Sequence, residues 1–294
     1  MLPPLISYVT FNRLGLTIRN MTAILNTNDD FEMHIIDNNS TDNTWKYIRS
    51  LNDSRIKTKT RIAVNTGLIN ALNINIARRR PDQYFITLDN DVYIQSKNWI
   101  SDFMKVFNEF PEVGLLGVWN DETTPSTISK SRNGASYLEL ISSLSNANNY
   151  VPGSCMFIRP ELMDRLGYFC EENCFGDMEV CYRVNNFTPF KCGLLTNVNI
   201  TTPQAITCDE CLYKSQCTLN KYSDSCFTKY ENLDKNDEFK NKFKWKFDET
   251  INDLKSGARP VYCASSNDPS SMTDHIYNLE WSLENMKYFT QNAN

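Results

Sequence analysis

Through its first two hundred residues the chain alternates short apolar runs with helical stretches of about ten residues, and few folds accommodate that alternation. Leu5–Thr10 and Glu32–Asp37 are rich in β-branched or aliphatic side chains and read as strands, as does 84–88 (Tyr-Phe-Ile-Thr-Leu). Between them, 17–25 and 70–80 carry helical patterns, and the cap-rich Ser40-Thr41-Asp42 opens a third helix through Trp45 and Ile48. Repeated βαβ units with right-handed crossovers build a mainly parallel sheet. In such sheets ligands bind beyond the carboxyl ends of the strands, so chemistry is expected at 10–13, 37–40 and 89–91. From about residue 205 the alternation stops. Residues 1–204 are therefore expected to form an α/β domain, and 205–294 a Cys-rich module with C-terminal helices. The last of these helices is expected over 273–289, with Ile276, Leu279, Leu283 and Met286 as its apolar stripe.

Composition narrows the partners. With 30 basic against 35 acidic residues the net charge is −5, which offers no global field for nucleic acid or an anionic membrane. No apolar run approaches the ~20 residues of a membrane span. The opening Met1-Leu2-Pro3-Pro4 lacks the basic and apolar regions of a secretion signal, so a cytoplasmic protein, at most peripheral to a membrane, is expected. All ten cysteines lie after residue 154. In a reducing compartment, clustered cysteines bind metal or fill the core. Cys208-x2-Cys211-x5-Cys217-x8-Cys226 has spacing suited to a structural Zn²⁺ held by four thiolates. An iron–sulfur cluster uses the same ligands, and disulfides or free thiols are the further alternatives. Cys170, Cys174, Cys181 and Cys192 read as small core residues.

Asp89-Asn90-Asp91 directly follows the third strand. Residues i and i+2 of an extended segment point the same way, so two carboxylates can face one site. Paired hard oxygen ligands suit Mn²⁺ or Mg²⁺, and a plain polar turn uses the same residue types. The order of segments around this motif resembles glycosyltransferase family 2, of GT-A fold. Val9-Thr10-Phe11-Asn12-Arg13 is similar to the family's opening strand and turn. Ile35-Ile36-Asp37-Asn38-Asn39-Ser40-Thr41-Asp42 is similar to its Val-Asp-Asn-x-Ser-Thr-Asp signature. Asn65-Thr66-Gly67-Leu68-Ile69-Asn70-Ala71-Leu72-Asn73 matches its Asn-x-Gly-x-x-x-Ala-x-Asn segment, and Asp89-Asn90-Asp91 stands at its Asp-x-Asp. Gly153-Ser154-Cys155-Met156-Phe157-Ile158-Arg159 and Phe175-Gly176-Asp177-Met178-Glu179-Val180-Cys181-Tyr182-Arg183 follow in the family's order.

The resemblance implies a divalent-metal-assisted, inverting transfer of a sugar from a nucleotide-diphosphate sugar, a uridine one, to an acceptor hydroxyl. It places Thr10, Asn12, Asp37 and Asn38 at the base, with Arg13, Asn65 and Asn90 also about the nucleotide. Asp89 would approach the ribose, and Asp91 together with Asp89 would hold the ion. Asp177 would be the general base on the acceptor. As a residue of a helix over 178–184, Asp177 also reads as a plain N-cap, and the helix N-terminus would keep it ionised. The acceptor expected is a glycan, a lipid-linked intermediate or a polymer, ahead of protein or nucleic acid. Two departures stand out. The family's Glu before the catalytic Asp is Gly176, with Glu179 either taking over part of its acidic role or staying exposed. For the late histidine of related metal sites there are only His34, inside a strand, and His275, which opens the last helix and could fold back over the site; without it the ion would be held by Asp91, diphosphate and water. These departures sustain the alternative of a catalytically silent GT-A domain acting as a zinc-stabilised binding or scaffold module. His34 reads as a packed strand residue, and Arg78-Arg79-Arg80, Lys57, Lys59 and Arg61 read as solvated cations. Trp99, Trp119 and Trp281 read as core or acceptor-groove residues.

Overall fold

The computed structural model describes residues 2–118, 125–201, 215, 237–272 and 277–292. β1 (Leu5–Thr10) is buried along its whole length, as a run of apolar residues flanked by parallel neighbours requires. It pairs in parallel with β2 (Glu32–Asp37) and with β4 (Phe85–Asp89), and β3 (Ile56–Arg61) pairs in parallel outside β2. α1 (Leu14–Leu25), α2 (Thr44–Ser50) and α3 (Gly67–Ile76) make the crossovers. The short β5 (Tyr93–Ile94) leads to α4 (Trp99–Glu109) and β6 (Val113–Val118). A hairpin, β7 (Thr127–Arg132) and β8 (Ala135–Leu140), precedes β9 (Cys155–Ile158). Then come α5 (Pro160–Leu166), α6 (Gly176–Phe187), β10 (Lys191–Leu195) and β11 (Ile200–Thr201).

The nine-stranded sheet runs β3-β2-β1-β4-β9-β6-β10-β8-β7, and β5 and β11 form a second, two-stranded sheet. β9 lies antiparallel between β4 and β6, so the parallel half is joined to a mixed half at the strand that carries Asp89. The architecture is mixed α/β with a mainly parallel sheet flanked by helices, as the sequence pattern predicts. Tyr8, Ile35, Phe103 and Phe157 belong to the core on one face of the sheet, and Leu5, Ile36, Met156 and Val184 to the core on the other.

Several boundaries differ from the sequence reading for local reasons. α1 begins at Leu14 because Asn12 and Arg13 form a left-handed turn, with φ 55° and 62°. α3 begins at Gly67, whose φ of 81° suits glycine, and ends at Ile76 rather than at 80. Arg80 is exposed, as expected, and pairs with Glu32 (2.6 Å), whereas Arg78 and Arg79 are half-buried, Arg78 donating to Thr58 Oγ1 (3.2 Å) and Arg79 pairing with Asp164 (2.6 Å).

After residue 236 the chain forms α7 (Asp237–Ser256) and α8 (Leu279–Asn292). Phe247, Ile251 and Leu254 of α7 pack on Tyr182 of α6, and Cys263 bridges to Gly167, so these residues are built onto the sheet-bearing body. α8 reverses the expected amphipathic orientation. Leu279 and Leu283 are 50% and 53% exposed, while Ser282 and Asn285 are buried. The reason is the surface beneath: Asn285 Nδ2 donates to the carbonyls of Glu171 (3.0 Å) and Asn173 (3.1 Å), so the inward positions are those that can satisfy backbone oxygens. Ile276, His275, Trp119 and the expected metal ligands Cys208, Cys211, Cys217 and Cys226 lie outside the described residues. Among the described residues no helix is long and apolar enough to cross a membrane.

Candidate active site

The register of the parallel strands assembles the site. Thr10 pairs with Asp37, and Val9 with Asp89, so the carboxyl ends of β1, β2 and β4 stand side by side. The turn after β1 is latched to the loop after β2. Asn12 N–H donates to Ser40 Oγ (2.8 Å), and Asn12 Oδ1 accepts from the backbone of Thr41 (2.8 Å) and Asp42 (3.3 Å). Asn90 Nδ2 donates to Thr10 Oγ1 (3.0 Å) and Thr17 Oγ1 (3.1 Å), joining the Asp-x-Asp turn to the same corner. Asn38 reaches the start of α3, donating to Gly67 O and accepting from Thr66 N (both 3.0 Å), and Asn65 Oδ1 accepts from Gly67 N (2.9 Å). The polar side chains of Thr10, Asn12, Asn38 and Asn90 thus tie the three strand-end loops together.

Asp37 differs from them. It is fully buried, its Oδ1 accepts from Ser40 N (3.0 Å), and Arg61 Nε lies 3.4 Å from the same oxygen. Among the described residues its Oδ2 meets no hydrogen-bond partner. Burial raises the Asp37 pKa, against the bonds from Ser40 and the charge of Arg61. An unpartnered buried acceptor at a strand's carboxyl end suits an incoming N–H donor. Arg61, which sequence reading set aside as solvated, belongs to this corner and also donates to Ser40 O (2.8 Å). Its place at the carboxyl end of β3 was the available signal.

Asp91 is ion-paired with Arg13 through Oδ2. Asp89 keeps a partly open surface although protein surrounds its carboxyl, and its pKa is pushed up to about 8. Withdrawal from water is the main cause, the negative charges of Asp91 and Asp177 add to it, and Arg13 opposes it. The charge of Asp177 thus reaches Asp89. The link between them is the start of β9 and the residues before it. Thr87 Oγ1 donates to Gly153 O (2.9 Å), Asp89 N–H to Ser154 O (3.0 Å), and Gly153 N–H to Asp177 Oδ2 (3.2 Å). A side chain at 153 would stand 3.3 Å from Asp177 Cβ, so glycine permits this approach. No single-residue signal marked Gly153 and Ser154 as the bridge.

Asp177 is not the N-cap of α6, a position taken by Phe175, but the second residue of its first turn. Its Oδ1 accepts from Met178 N (2.8 Å). Burial raises its pKa, and the backbone hydrogen bonds offset only part of that rise, so the helix terminus does not hold it in the ordinary range as expected. At Gly176, which stands in place of the family's Glu, a Cβ would meet Ile69 Cδ1 at 2.3 Å, the movable end of an aliphatic side chain. Glu179 neither replaces that acid nor stays exposed. It is fully buried and paired with Arg183 (2.7 Å). His34 sits in β2 with Nδ1 2.9 Å from Thr58 Oγ1, as a packed strand residue should. Cys155, Cys170, Cys181 and Cys192 are buried thiols, and Cys174 is half-buried.

Among the described residues no group of three or more His, Cys, Asp or Glu side chains gathers to hold a metal. Asp89 and Asp91 nonetheless fit a hard divalent ion, which takes few protein ligands and completes its shell with phosphate oxygens and water. The mutual repulsion that raises Asp89 is the unfavourable term such an ion would relieve.

No curated protein sequence matches the chain. Among solved structures, the mannosyltransferase PcManGT from Pyrobaculum calidifontis, in complex with GDP-Man and Mn²⁺, superposes with a TM-score of 0.50 at 14% identity, covering 67% of this chain and 56% of that one. S. aureus TarS 1–349 in complex with UDP-GlcNAc gives a TM-score of 0.50 at 16% identity over the same shares. S. aureus TarS gives 0.51 at 16% identity, covering 67% of this chain and 35% of that one. The chain thus covers little more than half the length of the first of these, and at such identity the likeness is one of fold. The family model for Glycosyl transferase family 2 matches residues 6–167, more than half of the sequence, and the chain belongs to that family.

Proposed function

We propose that the protein transfers a sugar from a uridine-diphosphate sugar to an acceptor hydroxyl with inversion, assisted by Mn²⁺ or Mg²⁺ held by Asp89 and Asp91. The observation that carries the reading is the pair of carboxylates at the carboxyl end of β4, with a third, Asp177, tied by hydrogen bonds to the segment that pairs with that strand. Two come from one strand end, and the third is presented from α6 through the Gly153 hydrogen bond. The bound ion supplies Lewis-acid stabilisation of the leaving diphosphate. In this reading the unpartnered Asp37 Oδ2 would accept a ring N–H of the base, the imide N–H for uracil. Thr10, Asn12, Asn38, Asn65 and Asn90 hold the loops that shape the nucleotide site. Asp177 takes the proton from the acceptor hydroxyl as its oxygen bonds the anomeric carbon and the bond to diphosphate breaks. A carboxylate raised above its ordinary range is the stronger base for that transfer.

The acceptor is a glycan, a lipid-linked saccharide or a polymer. The neighbours bear on the ligand classes: one is a structure with GDP-Man and Mn²⁺, another with UDP-GlcNAc. The test is calorimetric binding of uridine and guanosine diphosphates with and without Mn²⁺, followed by donor hydrolysis. The wild type should bind uridine diphosphate with Mn²⁺, Asp91→Ala should lose it, and Asp177→Asn should keep binding while losing turnover about 10²-fold or more. The silent-scaffold reading is favoured by one observation, that Glu179 is buried and committed to Arg183, so it does not stand in for the family's Glu. Nucleotide binding with no turnover on any donor, in wild type as in Asp177→Asn, would establish it.

A further inference from the structure

Two consecutive residues with side chains, Asn12 and Arg13, occupy the left-handed region that such residues seldom adopt. Asn12 is held there by its bonds to Ser40, Thr41 and Asp42. Arg13 precedes α1 without a side-chain bond that caps the helix, and its guanidinium turns instead to Asp91. The pair is largely enclosed, with the two side chains 11% and 21% exposed. Asp91 is thus already matched by a cation that belongs to the chain. A guanidinium recognises a carboxylate and a phosphate through the same forked geometry.

We propose that Arg13 is a counter-ion latch on Asp91, which must be released before Asp91 can take a divalent ion and which passes to the diphosphate of the donor. The inference rests on the metal-assisted reading above. Its logic is charge balance. Before binding, Arg13 neutralises Asp91. Afterwards the ion neutralises the carboxylates and Arg13 neutralises phosphate. An ion arriving alone displaces Arg13 with no anion to receive it, and a diphosphate arriving alone meets an Arg13 still held by Asp91. Ion and donor therefore bind cooperatively, and each raises the affinity of the other by the same factor.

The experiment titrates Mn²⁺ into the full chain, reading free Mn²⁺ by electron paramagnetic resonance, with and without uridine diphosphate. Wild type, Arg13→Gln, Arg13→Lys and Asp91→Asn are compared, each first checked for cooperative thermal unfolding. Arg13→Gln should bind Mn²⁺ alone at least about tenfold more tightly than wild type, since no charge-assisted bond has to be broken. Its gain in Mn²⁺ affinity on adding uridine diphosphate should shrink by a similar factor. Arg13→Lys, which keeps the charge without the fork, should fall between the two and serves if the glutamine variant does not fold. Equal Mn²⁺ affinity and equal coupling in wild type and the Arg13 variants, with Asp91→Asn abolishing binding, overturn the latch and leave the metal site standing. Absence of Mn²⁺ binding in wild type even with uridine diphosphate overturns the metal-assisted reading and the latch with it.

Discussion

Arg183→Ala should be among the most damaging single substitutions in the described structure. Arg183 is fully buried in α6, six residues after Asp177. Its guanidinium donates to the carbonyls of Leu166 (2.8 Å), Val261 (2.9 Å) and Tyr168 (3.0 Å), and to Glu179 Oε2 (2.9 Å). It therefore rivets α6 both to the end of α5 with the residues just after it and to the segment after α7. Truncation leaves Glu179 fully buried with its counter-ion gone, a loss of about 3–5 kcal/mol for a broken buried pair. The orphaned carbonyls push the value toward the upper end. At about 2–3 °C per kcal/mol for a chain this long, Tm should fall by roughly 6–15 °C. The assay is thermal and urea unfolding of Arg183→Ala, Glu179→Ala and the double variant. If the buried pair is the cause, the double variant should be less destabilised than the sum of the singles by more than about 1 kcal/mol. A Tm drop under 2 °C, or strict additivity, would refute the reasoning.

Three further outcomes are expected. Asp89, with a folded pKa near 8 against an ordinary carboxylate value when unfolded, binds more protons folded than unfolded between about pH 4 and 8, so stability should fall as pH rises through that window. Asp89→Asn should flatten the slope, which is at most about 1.4 kcal/mol per pH unit for one proton, in unfolding measured across pH. Asn12→Ala removes the acceptor for Thr41 and Asp42 and leaves alanine at φ 55°, and should cost about 1–3 kcal/mol in urea unfolding; a loss under 0.5 kcal/mol would mean that the turn is held otherwise. Gly176→Glu should cost no more than about 1 kcal/mol by thermal shift, because the atom its Cβ meets is the movable end of Ile69; a larger loss that Ile69→Ala relieves would show that Ile69 cannot move aside.

The fold, and the strand ends at which the candidate site lies, were legible in the local pattern. Apolar strand runs at Leu5–Thr10 and Glu32–Asp37 appear where the sequence reading puts them, because strand burial on both faces leaves a contiguous apolar signature. The ends of those strands were legible as the place for chemistry for the same topological reason. What each polar residue does there was not. Asn12, Asn38 and Asn90 carry the same motif letters as Asp37 and Asp91, yet they close loops, while Asp37 keeps a buried oxygen unpaired. Hydrogen-bond partners separated by tens of residues leave no trace in spacing.

The sequence by itself determined the mainly parallel sheet and the family, since periodicity and motif order are properties of neighbours along the chain. Only the tertiary structure decided that Arg13 folds back onto Asp91, that Ile69 fills the place beside Gly176, and that Glu179 answers to Arg183 rather than to substrate. It also decided that α8 turns Asn285 inward and Leu279 and Leu283 outward. Each of these follows from which surface a distant segment presents. Burial makes unpaired polar groups and overlapping atoms costly there, and that cost exceeds what helical periodicity or motif position alone can specify.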